Sequence, residues 1–138
     1  MDQTQISPSR RDLGKDLKIL LLRSGGFCAF PTCPTHLVAP ETSEDSPVIL
    51  GEIAHIIARS SKGPRGSSAL SKEELDKYEN LILLCRDHHK VIDSQPNTFT
   101  SRVLKEMKMS HERKMVKENS GQVSDIQLKK EKVHTSLL

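Results

Sequence analysis

The chain has no tryptophan, one tyrosine and three phenylalanines among its 138 residues. Only 35% of its residues are hydrophobic, so it cannot build a large apolar core. A chain this short of core commonly recruits a metal ion as a staple. Long apolar runs are also missing. Nothing approaches the roughly 18 consecutive apolar residues of a membrane span, and the polar first eleven residues contain no signal-type hydrophobic stretch. Cysteine is scarce and odd in number, at three, which argues against a secreted disulfide framework. The expectation is a soluble protein of the reducing cytoplasm, with thiols that are free, catalytic or metal-bound. Neither sign of charge dominates. Against 18 acidic residues stand 21 Lys and Arg, a net charge of +3, which permits nucleic-acid binding without demanding it.

The organisation reads as a polar lead-in at 1–9, one folded unit at 10–118, and a tail or linker at 119–138. Leu13, Leu17, Leu20 and Leu21 fall at i, i+4, i+7 and i+8, one face of a helix over 10–24. Arg11, Lys15, Lys18 and Arg23 occupy the other, solvated face. Gly25-Gly26 ends that helix as a C-cap pair. A proline-containing knuckle over 27–33 follows, then a loop over 35–47 whose prolines exclude regular structure. Residues 48–57 read as one strand or two short ones. A basic, glycine-rich loop fills 59–68. Ser71 to Glu74 is a capping box that starts a short helix reaching about residue 77. Residues 80–84 are strand-like, a helix runs from Cys85 through about Asp93, and Pro96 breaks it. A last helix spans 99–118, with Val103, Leu104, Met107, His111 and Met115 on one stripe.

Two ligand pairs stand out. Cys28 and Cys33 are separated by four residues, and Cys85 and His88 by two. Either spacing lets two side chains of one turn reach a single tetrahedral ion, and together they supply a thiolate and imidazole set suited to structural Zn2+. All three cysteines are then used. An ion held by both pairs closes a chain loop of more than fifty residues, where a staple stabilises most.

A second constellation follows on the same helix. His89 and Asp93 stand at i, i+4 and so face one side, while His88 looks about 100° away. Imidazole plus carboxylate at that spacing can hold one divalent ion, Mg2+ or Mn2+/Ni2+. Phosphodiester hydrolysis needs a base for the attacking water, a role histidine suits, and a cation for the phosphate and the leaving 3′ oxygen. His55, in an apolar strand context, fits the first role, and His89 with Asp93 the second. Asn80 reads either as a turn residue before a strand or as an amide that braces the loop.

Glu52-Ile53-Ala54-His55-Ile56-Ile57, Asn80-Leu81-Ile82-Leu83-Leu84-Cys85 and His88-His89 resemble the motif of the HNH endonucleases. The likeness runs from about residue 24 to 112 and is strongest to small bacterial HNH proteins. It extends to antiphage effectors in which such a module is fused to a nucleotide sensor. It implies an α+β fold, the ββα-metal (His-Me) finger, carrying a structural zinc knuckle and flanked here by N- and C-terminal helices. By position it implies His55 as general base, His89 as metal ligand and Asn80 as orienting residue. The chain departs from the pattern at Ala54, where many members carry a metal-binding Asp or His. Asp93 is expected to cover that loss from the helix.

Arg59, Lys62 and Arg65 in the glycine-rich loop, with Lys90 on the metal helix, are the expected phosphate contacts. Few aromatics are free for base stacking, which disfavours a single-strand binder and favours duplex DNA with weak sequence preference. A single site per chain admits nicking by a monomer or double-strand cleavage by a homodimer, and the tail admits a fused or associated sensor domain. The alternative reading is a non-catalytic, zinc-stabilised nucleic-acid-binding module. The zinc ligands serve both readings equally, whereas His55, His89 and Asp93 are needed only by the nuclease.

Overall fold

The computed structural model describes residues 8–58 and 70–118. Helix α1 is Pro8–Ser24. It ends because Gly25 and Gly26 adopt φ of +65° and +80°, a left-handed turn that glycine enters without steric cost. A Cβ on Gly25 would also lie 2.7 Å from the Met115 sulfur, so the turn lets the last helix come close. The buried stripe of α1 differs from the expected one. Leu20 is fully buried, Leu17 and Ile19 pack against the core, and Asp16 and Ser24 are buried too, but Leu21 is half exposed. The helix is rotated toward Asp16, whose carboxylate accepts the Tyr78 backbone N–H at 2.7 Å. The side chain of Leu13 lies outside the described residues.

Past the knuckle, the segment expected to be pure loop contains one strand. Strand β1 (Val38–Ala39) pairs antiparallel with β2 (Val48–Ile49), and the prolines lie at or beyond its ends. Strand β3 (Gly51–His55) then pairs antiparallel with β4 (Leu81–Cys85), with Glu52 opposite Leu84 and His55 opposite Leu81. All five residues of β4 are buried, as expected for an apolar run covered on both faces. Between these strands, α2 (Lys72–Leu75) is started by the full Ser71/Glu74 capping box and stops two residues short of the expected end. A single 3-10 turn, Tyr78–Asn80, leads into β4.

Helix α3 (Arg86–Ser94) follows β4 directly, with Cys85 as its N-cap residue in extended conformation. After the break, helix α4 spans 101–118. Leu104, Met107 and Met115 of α4 are buried as expected, and His111 Nε2–H donates to the Ser24 carbonyl at 2.9 Å. Lys108 is buried on the same helix, which its sequence neighbours do not announce. The β3–β4 hairpin with α3 laid beside it is the ββα unit of an α+β fold. The core runs from Leu20 through Ala54, Ile56 and β4 to Ile92, Leu104 and Met107.

Candidate metal and catalytic centres

The Gly-Gly turn delivers Cys28 to the end of β4. There the Cys28 sulfur accepts the Cys85 backbone N–H at 3.3 Å, and the neighbouring Ala29 N–H donates to the Leu83 carbonyl at 3.0 Å. The knuckle closes on itself through Cys33 N–H to the Phe30 carbonyl, 3.1 Å. His88 comes from the first turn of α3. Its Nδ1 lies 3.2 Å from Cys85 Sγ and 3.7 Å from Cys28 Sγ. Phe30 stacks on the His88 ring with centroids 3.9 Å apart and planes 1° from parallel, which fixes the ring that presents this nitrogen. The ligand atoms of Cys28, Cys33, Cys85 and His88 all lie within 4.8 Å of one another. They are close enough to bind one metal ion, and three sulfurs with one imidazole form a zinc set.

The electrostatics fit that reading. Burial pushes the Cys28 thiol up to about 12, against the lowering effect of hydrogen bonds from the Cys85 and Phe30 backbone. A thiolate in so apolar a place needs a cation. Cys33 is drawn below the ordinary thiol value. Burial acts to raise it, and hydrogen bonding by the Thr35 hydroxyl and backbone, with the other two thiols, outweighs burial.

One residue further along α3, His89 faces the other way, toward β3. Its Nδ1 lies 2.8 Å from Glu52 Oε1, and its Nε2 lies 3.2 Å from Asp93 Oδ2. The i, i+4 pair expected from the sequence is therefore formed. Glu52 was not expected to take part. The signal for it was strand alternation, which puts Glu52 on the same face of β3 as Ala54, so a carboxylate two residues away stands on the face where the usual ligand is missing. Glu52, Arg86, His89, Lys90 and Asp93 line one open cleft beside Cys85. Arg86 lies 3.7 Å from Glu52 in an exposed pair.

His55 is not among the residues that line this cleft. It sits at the far end of β3, with Nε2 3.0 Å from Asp76 Oδ1. Asp76 is a second residue that sequence reasoning missed, and the only hint was its place directly after the capped helix α2. Asn80 is buried. Its Oδ1 accepts the Ile57 N–H at 2.8 Å, and its Nδ2 donates to the carbonyls of Ile57 and Leu75 at 2.9 and 2.8 Å. Arg59, Lys62 and Arg65, expected to contact phosphate, lie outside the described residues, as does the tail from 119.

A hairpin and helix with two histidines, joined to the knuckle by a three-sulfur, one-imidazole cluster close enough to bind a metal, are consistent with the ββα-metal fold. A family model described as HNH endonuclease matches residues 28–99, just over half of the chain, and the chain belongs to that family of nucleases. No curated protein matches the chain. No helix among the described residues is long and apolar enough to cross a membrane.

Proposed function

We propose that the chain is a metal-dependent endonuclease that hydrolyses DNA phosphodiester bonds. One observation carries this reading. The two motif histidines outside the sulfur cluster are each held through a ring nitrogen by a carboxylate, His55 by Asp76 and His89 by Glu52. A module that only bound nucleic acid would need neither arrangement.

The four-residue cluster would hold zinc as a structural ion, because four protein ligands leave no position for water. His89 Nε2 and Asp93 would hold the catalytic ion. Their imidazole and carboxylate donors suit Mg2+, Mn2+ or Ni2+. When bound, the ion supplies polarisation of the phosphate and neutralises charge on the leaving 3′ oxygen. Glu52 orients the His89 ring by taking its other nitrogen, and so does the work left undone at Ala54 together with Asp93. His55 accepts a proton from the attacking water. The water oxygen bonds to phosphorus, the bond to the 3′ oxygen breaks, that oxygen takes a proton from solvent while His55 returns its own to solvent, and the products are a 5′ phosphate and a 3′ hydroxyl. Lys90 and Arg86, with Arg59, Lys62 and Arg65, contact backbone phosphates without reading sequence.

Duplex DNA is the preferred substrate, nicked by a monomer or cut on both strands by a homodimer. Residues 10–118 form the nuclease unit, and a sensor domain joined through the tail would suit the antiphage effectors that the motif resembles. Metal-bound thiols suit the reducing cytoplasm.

Plasmid nicking by zinc-loaded protein in Mg2+, Mn2+ or Ni2+ tests the reading. The wild type should nick, and His55→Ala should lose on the order of 10²–10⁴ in rate with zinc content unchanged. A folded, zinc-loaded wild type that retains DNA but leaves it intact with all three ions would establish the binding-module alternative instead.

A further inference from the structure

We propose that Asp76 is a positioning residue for His55, fixing which ring nitrogen carries the proton, and that Asn80 acts by holding these two residues in register. The inference rests on His55 being the base. It goes further by naming the nitrogen that acts and the side chain that selects it.

A neutral imidazole has one N–H and one lone pair, and an ionised carboxylate can only accept. With Asp76 Oδ1 3.0 Å from His55 Nε2, the proton lies on Nε2 and the lone pair on Nδ1. Nδ1 has no hydrogen-bond partner among the described residues. It is the atom left to take a proton from water, and the carboxylate then stands against the imidazolium that forms. The pair is part-buried, with the two side chains 26% and 12% exposed. It is thus less screened than an ordinary surface ion pair.

The register of the pair is built by three segments. The Ser71/Glu74 capping box sets where α2 begins, and Asp76 is the C-cap residue where it ends. The Asn80 amide then spans the gap between the partners. It binds Leu75, the residue before Asp76, and Ile57, two residues after His55. The Asn80 backbone carbonyl also takes the Ile56 N–H at 2.8 Å. Both neighbours of the His55–Asp76 contact are therefore tied to one buried amide. Asn80 makes none of these hydrogen bonds to His55 itself, so its effect on the base passes through backbone placement. A carboxylate that merely neutralised a surface histidine would not need this bracing.

The experiment is long-range 1H–15N NMR of His55 in the zinc-loaded chain without added divalent ion, coupled to plasmid nicking. In the wild type, neutral His55 should be the Nε2–H form. An Nδ1–H form there overturns the proposal before any variant is made. Asp76→Asn keeps the shape but can donate to Nε2, so it should convert His55 to the Nδ1–H form. With the lone pair moved off Nδ1, nicking should fall on the order of 10²–10⁴-fold while zinc content and helix signal stay at wild-type levels. An unchanged tautomer, or nicking within threefold of the wild type, overturns the proposal. Full nicking by His55→Ala would instead overturn the choice of base, and the tautomer measurement would still decide whether Asp76 governs the His55 ring.

Discussion

Two buried polar clusters tie this small core together, and they are solved in opposite ways. One joins the knuckle to α3 through Cys28, Cys33, Cys85 and His88. The other joins α1, the 3-10 turn and α4. In it the Asp16 carboxylate takes the Tyr78 N–H, the Tyr78 hydroxyl donates to Glu112, and Lys108 Nζ lies 2.8 Å from the other Glu112 oxygen. Lys108 and Arg23 also stand over the Tyr78 ring, at 3.7 and 4.9 Å from its centroid. This second cluster contains its own cations. The first contains only Lewis bases, placed close enough together to bind one. An apolar core of this size can bury either kind of cluster, but only the first is expected to make folding depend on an external ion.

Removing that ion should have the largest effect. Structural zinc in small domains is worth roughly 10–16 kcal/mol at neutral pH, comparable with or above the whole stability of about 5–15 kcal/mol expected of a domain. Chelation by EDTA, or Cys85→Ser, should therefore abolish the cooperative thermal transition seen by circular dichroism. A chelated chain that kept its transition would show that the sulfur cluster, like the lysine cluster, is self-sufficient.

The lysine cluster should respond to pH instead. Burial, aided by Arg23 and opposed by Glu79, lowers Lys108 to about 8. The folded state therefore binds this proton less tightly than the unfolded chain, where an ordinary lysine titrates near 10.4. Below about pH 8 the side chain is charged in both states and its full burial penalty is present. As pH rises from there toward the unfolded value, the unfolded state holds more protons and stability increases. Denaturation of the wild type should gain about 2 kcal/mol between pH 7 and 9.5 relative to Lys108→Met. The difference between the two proteins cancels the titration of the thiols. A flat difference would mean that Glu112 fully compensates the buried ammonium.

The two clusters were not equally legible. Cysteines and a histidine at ligand spacing announce themselves, because each pair is local and the residue types have few other uses together. The capping box, the Gly25-Gly26 stop, and the helix after Cys85 were legible for the same local reason. Lys108 and Glu112 look like solvated helix charges until α1 and Tyr78 are laid against them, and Leu21 looked buried until Asp16 set the rotation of α1. The carboxylate partners of His55 and His89 were hidden likewise. Asp76 is 21 residues from His55 and Glu52 is 37 from His89, and only strand pairing and the Asn80 clamp bring them together. The β1–β2 pairing was masked by prolines that lie at or beyond its ends.

His89 offers the finest test of the contrast, because it is neighbour to His88 yet belongs to neither buried cluster. It is 27% exposed, with Glu52 and Asp93 more exposed still. Here carboxylates face an imidazole in a cleft open to water, and folding is expected to proceed without an ion there. An ion held there is expected to exchange freely. Glu52 touches the ring nitrogen opposite the one beside Asp93, so its loss should loosen the ring rather than remove a ligand. Outer partners of this kind typically contribute 10–100-fold in metal affinity or activity. Glu52→Ala should therefore raise the Mn2+ concentration for half-maximal nicking by about 10–100-fold, with the saturated rate and the zinc content close to wild type. Asp93→Ala, which on the proposed reading removes a donor, should lower activity in a way that raised Mn2+ rescues only in part. If Glu52→Ala released zinc or unfolded the chain, the open cleft would have to be counted with the sulfur cluster as part of one structural centre.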